Sequence, residues 1–420
     1  MKILIKNAKI LDKASSFFNK TVDILIENGV ITKINKDISE EDAELISIDN
    51  LHISQGWVDL KAHFCDPGEE HKETIESGLN AAAFGGYTHV FSLPSTNPVV
   101  DNKSQVLYQI NNSDYHAVDL HPIGAISEGL KGKNLAELYD LYTAGVRQFS
   151  DDEVPLNSGI AYRALLYIKN FGGKIISFPQ DVFLANGSFV NEGVASTLTG
   201  MKANPTISET IQLNRDIRLL EYTDSFLHVT GISCSESLDL IRAAKAKGLN
   251  ITCDVHVNHL IFNENDVIEF DSNHKVNPPY RRESDRIALW EGLKDGTIDA
   301  IVSNHRPKDK EEKDVEFDNA HPGNITLQTL FASLKTVKEF DLQTVINKLS
   351  IDNRKTFDLA STPIEVGNEA DLTLFNPSKK WCFSKDIILS SSFNSPFIDK
   401  ELEGLSLGII NKNKWVLNEI

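Results

Sequence analysis

Apolar and polar positions run in short, strand-like stretches at both ends of the chain and in a different rhythm between them. Ile3-Leu4-Ile5 and Val22-Asp23-Ile24-Leu25-Ile26 have strand composition, and the turn at Glu27-Asn28-Gly29 before Val30-Ile31 predicts a hairpin. Towards the other end, Glu369 to Phe375, Gly408-Ile409-Ile410 and Lys414 to Leu417 read the same way. From about residue 56 to 360, β-branched runs alternate with helical patterns. The runs include Thr88 to Phe91, Lys174 to Ser177, Leu227 to Thr230, Ile251 to Val255 and Ile298 to Val302. Helical stretches such as Ser237 to Lys247 and Asp285 to Lys294 stop at Gly248 and Gly296. Repeated strand–helix units imply a parallel sheet, and enough of them imply a (β/α)8 TIM barrel in an α/β protein. The terminal strands are expected to pair as a small β-sandwich. The predicted domains are residues 1–55 with 361–420 for the sandwich and 56–360 for the barrel.

Charge narrows the classes of partner. The chain has 42 Lys+Arg against 60 Asp+Glu, a net charge of −18, so neither nucleic acid nor an anionic membrane surface is an expected partner. With 41% hydrophobic residues in 420, a large core can form and disorder is not expected. The four cysteines, Cys65, Cys234, Cys253 and Cys382, are too scattered for a disulfide framework or a CxxC zinc site and read as reduced thiols. Lys2, Lys6 and Lys9 interrupt the first apolar stretch, and no later run is long enough to span a bilayer; the expectation is a cytoplasmic protein.

Chemistry in a barrel sits at the carboxyl ends of its strands. There, Gly56 to Glu73, Leu93-Pro94-Ser95-Thr96-Asn97-Pro98, Val276-Asn277-Pro278-Pro279, Lys294 to Asp299 and Gly367 to Phe375 resemble, in order and nearly end to end, the dihydroorotases of the amidohydrolase superfamily. The resemblance implies the barrel-plus-sandwich fold and a metal pair that makes hydroxide from water, held by imidazole and carboxylate ligands.

Position by position, the resemblance also implies losses. The family's first strand carries His-x-His-x-Arg; here the same places hold Lys61, His63 and Cys65. A lysine beside a divalent cation is repulsive, and Cys65 offers no two-point contact to a substrate carboxylate. Asp151 matches the bridging carboxylate. Phe178 and Gly231 stand at two ligand-histidine positions, whereas His228 reads as buried in its strand. Asn304 replaces the aspartate that shuttles the proton, and an amide cannot take it. On the substrate side, Asn277 is kept, while Ser95 and Lys308 replace the family's residues. His63 and Asp151 are thus the expected remnants of the metal site. Read alone, His63 is a hydrogen-bonded barrel histidine sooner than a ligand, and Asp151 and Asp152 serve equally as caps of the following helix.

These positions lead to the expectation of a catalytically inactive dihydroorotase-like protein with a structural or regulatory role in pyrimidine biosynthesis and no cofactor. Its expected state is a homo-oligomer, or a complex with aspartate transcarbamoylase or an active dihydroorotase. The alternative is an active cyclic amidohydrolase with a reduced or rebuilt site, zinc-dependent or recruiting His256, His259 and His305 with Cys65 or Lys61. If only ligands are missing, Lys61→His, Phe178→His, Gly231→His and Asn304→Asp together should restore zinc binding in a folded chain.

Overall fold

The computed structural model describes residues 1–418; 419 and 420, the end of the predicted terminal segment, lie outside the described residues. Eight strands from both ends of the chain share one sheet. Its order runs Lys414–Leu417, Glu401–Asn411, Asp371–Cys382, His52–Gln55, Lys2–Ile10, Thr21–Glu27, Val30–Asn35, with Glu44–Ser47 pairing alongside Lys2–Ile10. The termini meet where His52–Gln55 runs antiparallel to Asp371–Cys382. Asn28 and Gly29 both take positive φ, 52° and 78°, as the expected tight hairpin requires. Gly29 has a second reason to be glycine, because a Cβ there would lie 2.6 Å from the Lys412 carbonyl carbon.

The middle of the chain forms parallel strands whose hydrogen-bonded order is cyclic. Trp57–Ala62, Tyr87–Ser92 and Asp119–Pro122 form one run. Gln148–Ser150, Lys174–Ser177, Leu227–Val229, Ile251–His256 and Ala300–Val302 form the other. Single parallel bridges join the runs at both ends, Gly124 to Phe149 and Ala62 to His305. Between strands run helices such as Ile75–Gly85, Ser158–Ile168, Ile207–Thr223, Ser235–Ala246 and Glu283–Lys294. Their apolar faces and the strands' outer faces, for example Leu79, Ile160, Leu213, Ile241 and Leu289 against Val90, Phe149 and Val255, make the largest buried cluster. Val58, Leu60, Phe91, Ile176, Val302 and Phe357 make a smaller one.

The strands expected at Lys174 to Ser177 and Ile251 to Val255 fall where the pattern put them, and the helices before Gly248 and Gly296 begin two residues earlier than expected. Among the described residues no helix is long and apolar enough to cross a membrane.

Candidate active site at the carboxyl ends of the parallel strands

Ring strands deliver their last residues to one end, so Lys61, Phe178, Gly231, His256 and Asn304 come together there although far apart in sequence. What they build is a packed plug. Lys61 is buried, with Nζ 3.2 Å from Thr230 Oγ1 and 3.1 Å from His256 Nε2, and 5.5 Å from the centroid of the Phe178 ring. Burial, followed by the Arg306 charge, lowers its pKa, with Asp254 and Asp152 opposing. Gly231 has φ +76°, donates its N–H to Asp254 Oδ1 at 2.7 Å, and leaves no room for a side chain: a Cβ would sit 2.8 Å from His256 Nε2 and 3.5 Å from Phe178. His256 and Phe178 therefore fill the space that a residue 231 side chain would need.

His63 is also spoken for. Its Nε2 donates to the Ser95 carbonyl at 3.1 Å, which leaves Nδ1 to accept from the Cys65 thiol, also at 3.1 Å. Burial, then Arg306, lowers its pKa to about 4. Cys65 is itself buried and its thiol is pushed well up by burial, so the pair lacks the thiolate a nucleophile needs. His228 lies inside the sheet as expected, bonded to Thr252 and to the carboxylate of Asp254.

The structure corrects the aspartate. Asp151 is engaged by the segment that follows Asp119–Pro122, accepting from the Ile126 and Ser127 backbones at 2.8 and 2.9 Å and from the Ser127 hydroxyl. Its neighbour Asp152, with φ +56°, faces the mouth instead. Both Asp152 oxygens take the Arg306 guanidinium, and Oδ2 also accepts from Ser95 Oγ at 2.6 Å. Burial would raise the Asp152 pKa, but the Arg306 charge overrides it and holds the carboxyl well below its usual range. Arg306 Nε further reaches Glu153 at 3.0 Å and Asn304 Oδ1 at 3.2 Å. Glu153 in turn accepts from Asn277, whose own carbonyl accepts from Gln180. Ser95 and Asn277, two of the positions expected on the substrate side, are thus bound into this network. Lys308 stands at the rim, 3.7 Å from Glu312.

Arg306, Asp152 and His256 carry most of this arrangement; the sequence offered His256 beside Lys61 only under the rebuilt-site alternative, offered Asp152 only as a helix cap, and gave Arg306 no role. Signals existed: Asp254 and His256 alternate on one face of a strand, and an arginine sits within the segment 304–308 opposite two consecutive acids. Of the other histidines, His259 donates to the Pro278 carbonyl, and His305 pairs with Glu73 while accepting from the Thr326 backbone. They do not converge with Cys65 on a reacting position.

Zinc is the metal the resemblance implies, and the side chains do not suit it. Zinc sites use three or four nitrogen, sulfur or oxygen donors with free lone pairs. Here His63 is bonded at both nitrogens, His256 Nε2 is taken up by the Lys61 amine, and the facing carboxylate of Asp152 is neutralised by a guanidinium. Among the described residues no group of three or more His, Cys, Asp or Glu side chains could hold a metal ion.

Buried neutral imidazoles make the fold acid-sensitive. His63, His116 and His259 are lowered to about 4 and His121 to about 3, all by burial first. In the unfolded chain they titrate near about 6.5, so as pH falls from there to about 4 the unfolded state gains protons that the folded state refuses. Asp59 and Asp216, raised by burial to about 7 and about 6, act in the opposite direction over the same range. Four groups outweigh two. Stability is expected to fall by about 2 kcal/mol per pH unit around pH 5, read as a drop in the guanidinium unfolding midpoint; a flat midpoint between pH 6.5 and 4.5 would contradict the assignment.

Against known proteins, residues 52–237 match the family model described as dihydro-orotase-like. Curated relatives named dihydroorotase include that of Ruminiclostridium cellulolyticum, 38% identical over 94% of both chains, and that of Aquifex aeolicus, 36% identical over the full length of both. The solved L-hydantoinase (dihydropyrimidinase) of Arthrobacter aurescens superposes with a TM-score of 0.85 at 20% identity, covering 99% of this chain and 96% of its own. Dihydropyrimidinase from Brevibacillus agri gives 0.84 at 20% identity over 100% and 95%. Those structures share the fold. Sequence likeness over the whole length carries the further step, and the chain belongs to the dihydroorotase family.

Proposed function

We propose that this chain is a (β/α)8 barrel, residues 56–360, with a β-sandwich of residues 1–55 and 361–420, kept as a dihydroorotase scaffold without dihydroorotase activity. Cyclic strand order and the hydantoinase-like fold support the architecture. The observation that carries the functional reading is the Lys61 amine, bonded to His256 and packed on Phe178, in the place where metal ligands would have to converge. In this reading Lys61, Phe178 and Gly231 are lost ligand positions, and His63 and Asp152 the remnants. Opening a cyclic amide needs an activated water and a group that carries its proton to the leaving nitrogen. Asn304 has no carboxylate for this, and Asp152 is held by Arg306. The role that remains is structural or regulatory, in the cytoplasm and in pyrimidine biosynthesis, as a subunit beside aspartate transcarbamoylase or an active dihydroorotase.

The second reading is an active dihydroorotase, and the names of the curated relatives favour it. Metal content and turnover separate the two. Protein purified without chelator in zinc-supplemented medium is expected to hold no stoichiometric zinc and to hydrolyse no dihydroorotate above the uncatalysed rate. Stoichiometric zinc together with turnover would replace the first reading by the second.

A further inference from the structure

We infer that the strand-end plug contains a binding site for one water molecule, held between His256, Asn258 and His259, and that this water completes the hydrogen bonding that keeps His256 against Lys61. The inference does not depend on whether the strand-end site hydrolyses anything. The strand Ile251–His256 runs directly into the short helix Val257–Ile261, which delivers the three polar side chains to one place, each at most 5% exposed. Among the described residues, His256 Nδ1, His259 Nδ1 and Asn258 Oδ1 are buried without a hydrogen-bond partner. All three side chains line one cavity of about 10 Å³, together with Val276 and Asn304. That is about the room a single water needs.

The bonds these side chains already make fix what they offer the cavity. His259 Nε2 lies 3.0 Å from the Pro278 carbonyl, which can only accept, so this nitrogen carries the proton and Nδ1 keeps its lone pair. Burial keeps both imidazoles neutral. His256 Nε2 accepts from Lys61 at 3.1 Å, which puts the His256 proton on Nδ1. Asn324 donates through Nδ2 to the Asn273 carbonyl and accepts through Oδ1 from Asn258 Nδ2 at 2.8 Å, so Asn258 has Oδ1 left for the cavity. One donor and two acceptors remain. A water accepts from the first and donates to the other two, the three bonds a buried water usually makes. The two imidazole rings stand 5.6 Å apart between centroids, a spacing that one bridging oxygen can span.

Charge excludes other small occupants. Among the described residues no acidic side chain lines the cavity to neutralise a metal cation, and the Arg306 charge already opposes a further positive charge at His256. An anion would meet two acceptors for one donor. With its Nδ1 proton engaged by the water, His256 keeps Nε2 turned to Lys61, which makes Asn258 and His259 positioning residues of the plug.

A crystal structure of the full chain, at a resolution that orders internal waters, is expected to show one oxygen-sized peak within hydrogen-bonding distance of the three atoms and no anomalous signal at the zinc edge. In solution, the ring ¹⁵N shifts of His256 should report the Nδ1–H tautomer, and a labelled Val276 methyl should give a cross-peak with the solvent resonance of the sign that marks a long-lived bound water. His259→Phe keeps a ring and removes an acceptor, so it should abolish that cross-peak; Asn258→Leu should do the same if the first variant folds poorly. A cavity without density, a peak with an anomalous signal, or a Val276 cross-peak unchanged in both variants would overturn the assignment.

Discussion

The combined variant Lys61→His, Phe178→His, Gly231→His and Asn304→Asp is expected to be strongly destabilised and to bind no zinc, contrary to what the sequence alone leads one to expect. Gly231 is the first obstacle. Its φ of +76° strains any L side chain, and the new Cβ would meet His256 at 2.8 Å. Left-handed strain of about 1–2 kcal/mol and overpacking of about 1–3 kcal/mol fall on one residue, against a total stability of about 5–15 kcal/mol. The second obstacle is Asp152, which stays engaged by Arg306 and gives the metal no carboxylate. Adding His256→Ala and Arg306→Ala removes the clash and the ion pair, leaving only the φ strain at residue 231, because the first clears the Cβ volume and the second frees the carboxylate for a cation. Thermal melting and metal analysis of the two variants decide the matter. Stoichiometric zinc in the four-residue variant would mean that His256 and Arg306 move aside readily, and that the plug is weaker than its geometry implies.

The parts of this picture that could be read from the chain are those carried by local pattern. Asn28-Gly29 specifies its turn because both residues tolerate positive φ, and runs such as Lys174 to Ser177 are apolar enough to announce a buried parallel strand. The strands Asp119–Pro122 and Gln148–Ser150 were harder, being four and three residues long, the first containing His121 and ending in proline. Such segments are strands because their neighbours pair with them. At the site, aligned positions showed which residue types had changed, but not what had moved into the space. Asp151 and Asp152 differ in their partners, the Ile126 and Ser127 backbones for the first and Arg306 with Ser95 for the second, and those partners lie far away in sequence. His256 Nε2 occupies the volume a residue 231 side chain would need and lies 3.1 Å from Lys61 Nζ, a fit between strands that no single run of sequence displays.

Arg306→Ala is expected to cost about 3–5 kcal/mol at neutral pH, because it strands charges rather than merely deleting contacts. The guanidinium engages both oxygens of Asp152, reaches Glu153 and Asn304, and is itself largely enclosed, 12% exposed in its side chain. Without it, two neighbouring carboxylates share a buried mouth with only Lys61 nearby. Removing the acid as well should return much of the loss, so Arg306→Ala with Asp152→Ala is expected to be more stable than Arg306→Ala alone, the reverse of additive damage. Acid gives an independent check of the cause. In the native chain the depressed Asp152 pKa supplies stability that is present above about pH 4 and lost as pH falls below it. In Arg306→Ala the same carboxyl should titrate above its unfolded value, so falling pH stabilises that variant relative to the native chain. Denaturant midpoints of the native chain, both variants and Asp152→Ala, compared at pH 7.5 and 5, should therefore show the penalty of Arg306→Ala shrinking with acid. A penalty that is independent of pH and additive with Asp152→Ala would mean that Arg306 acts through packing, and that Asp152 is not the charge it holds.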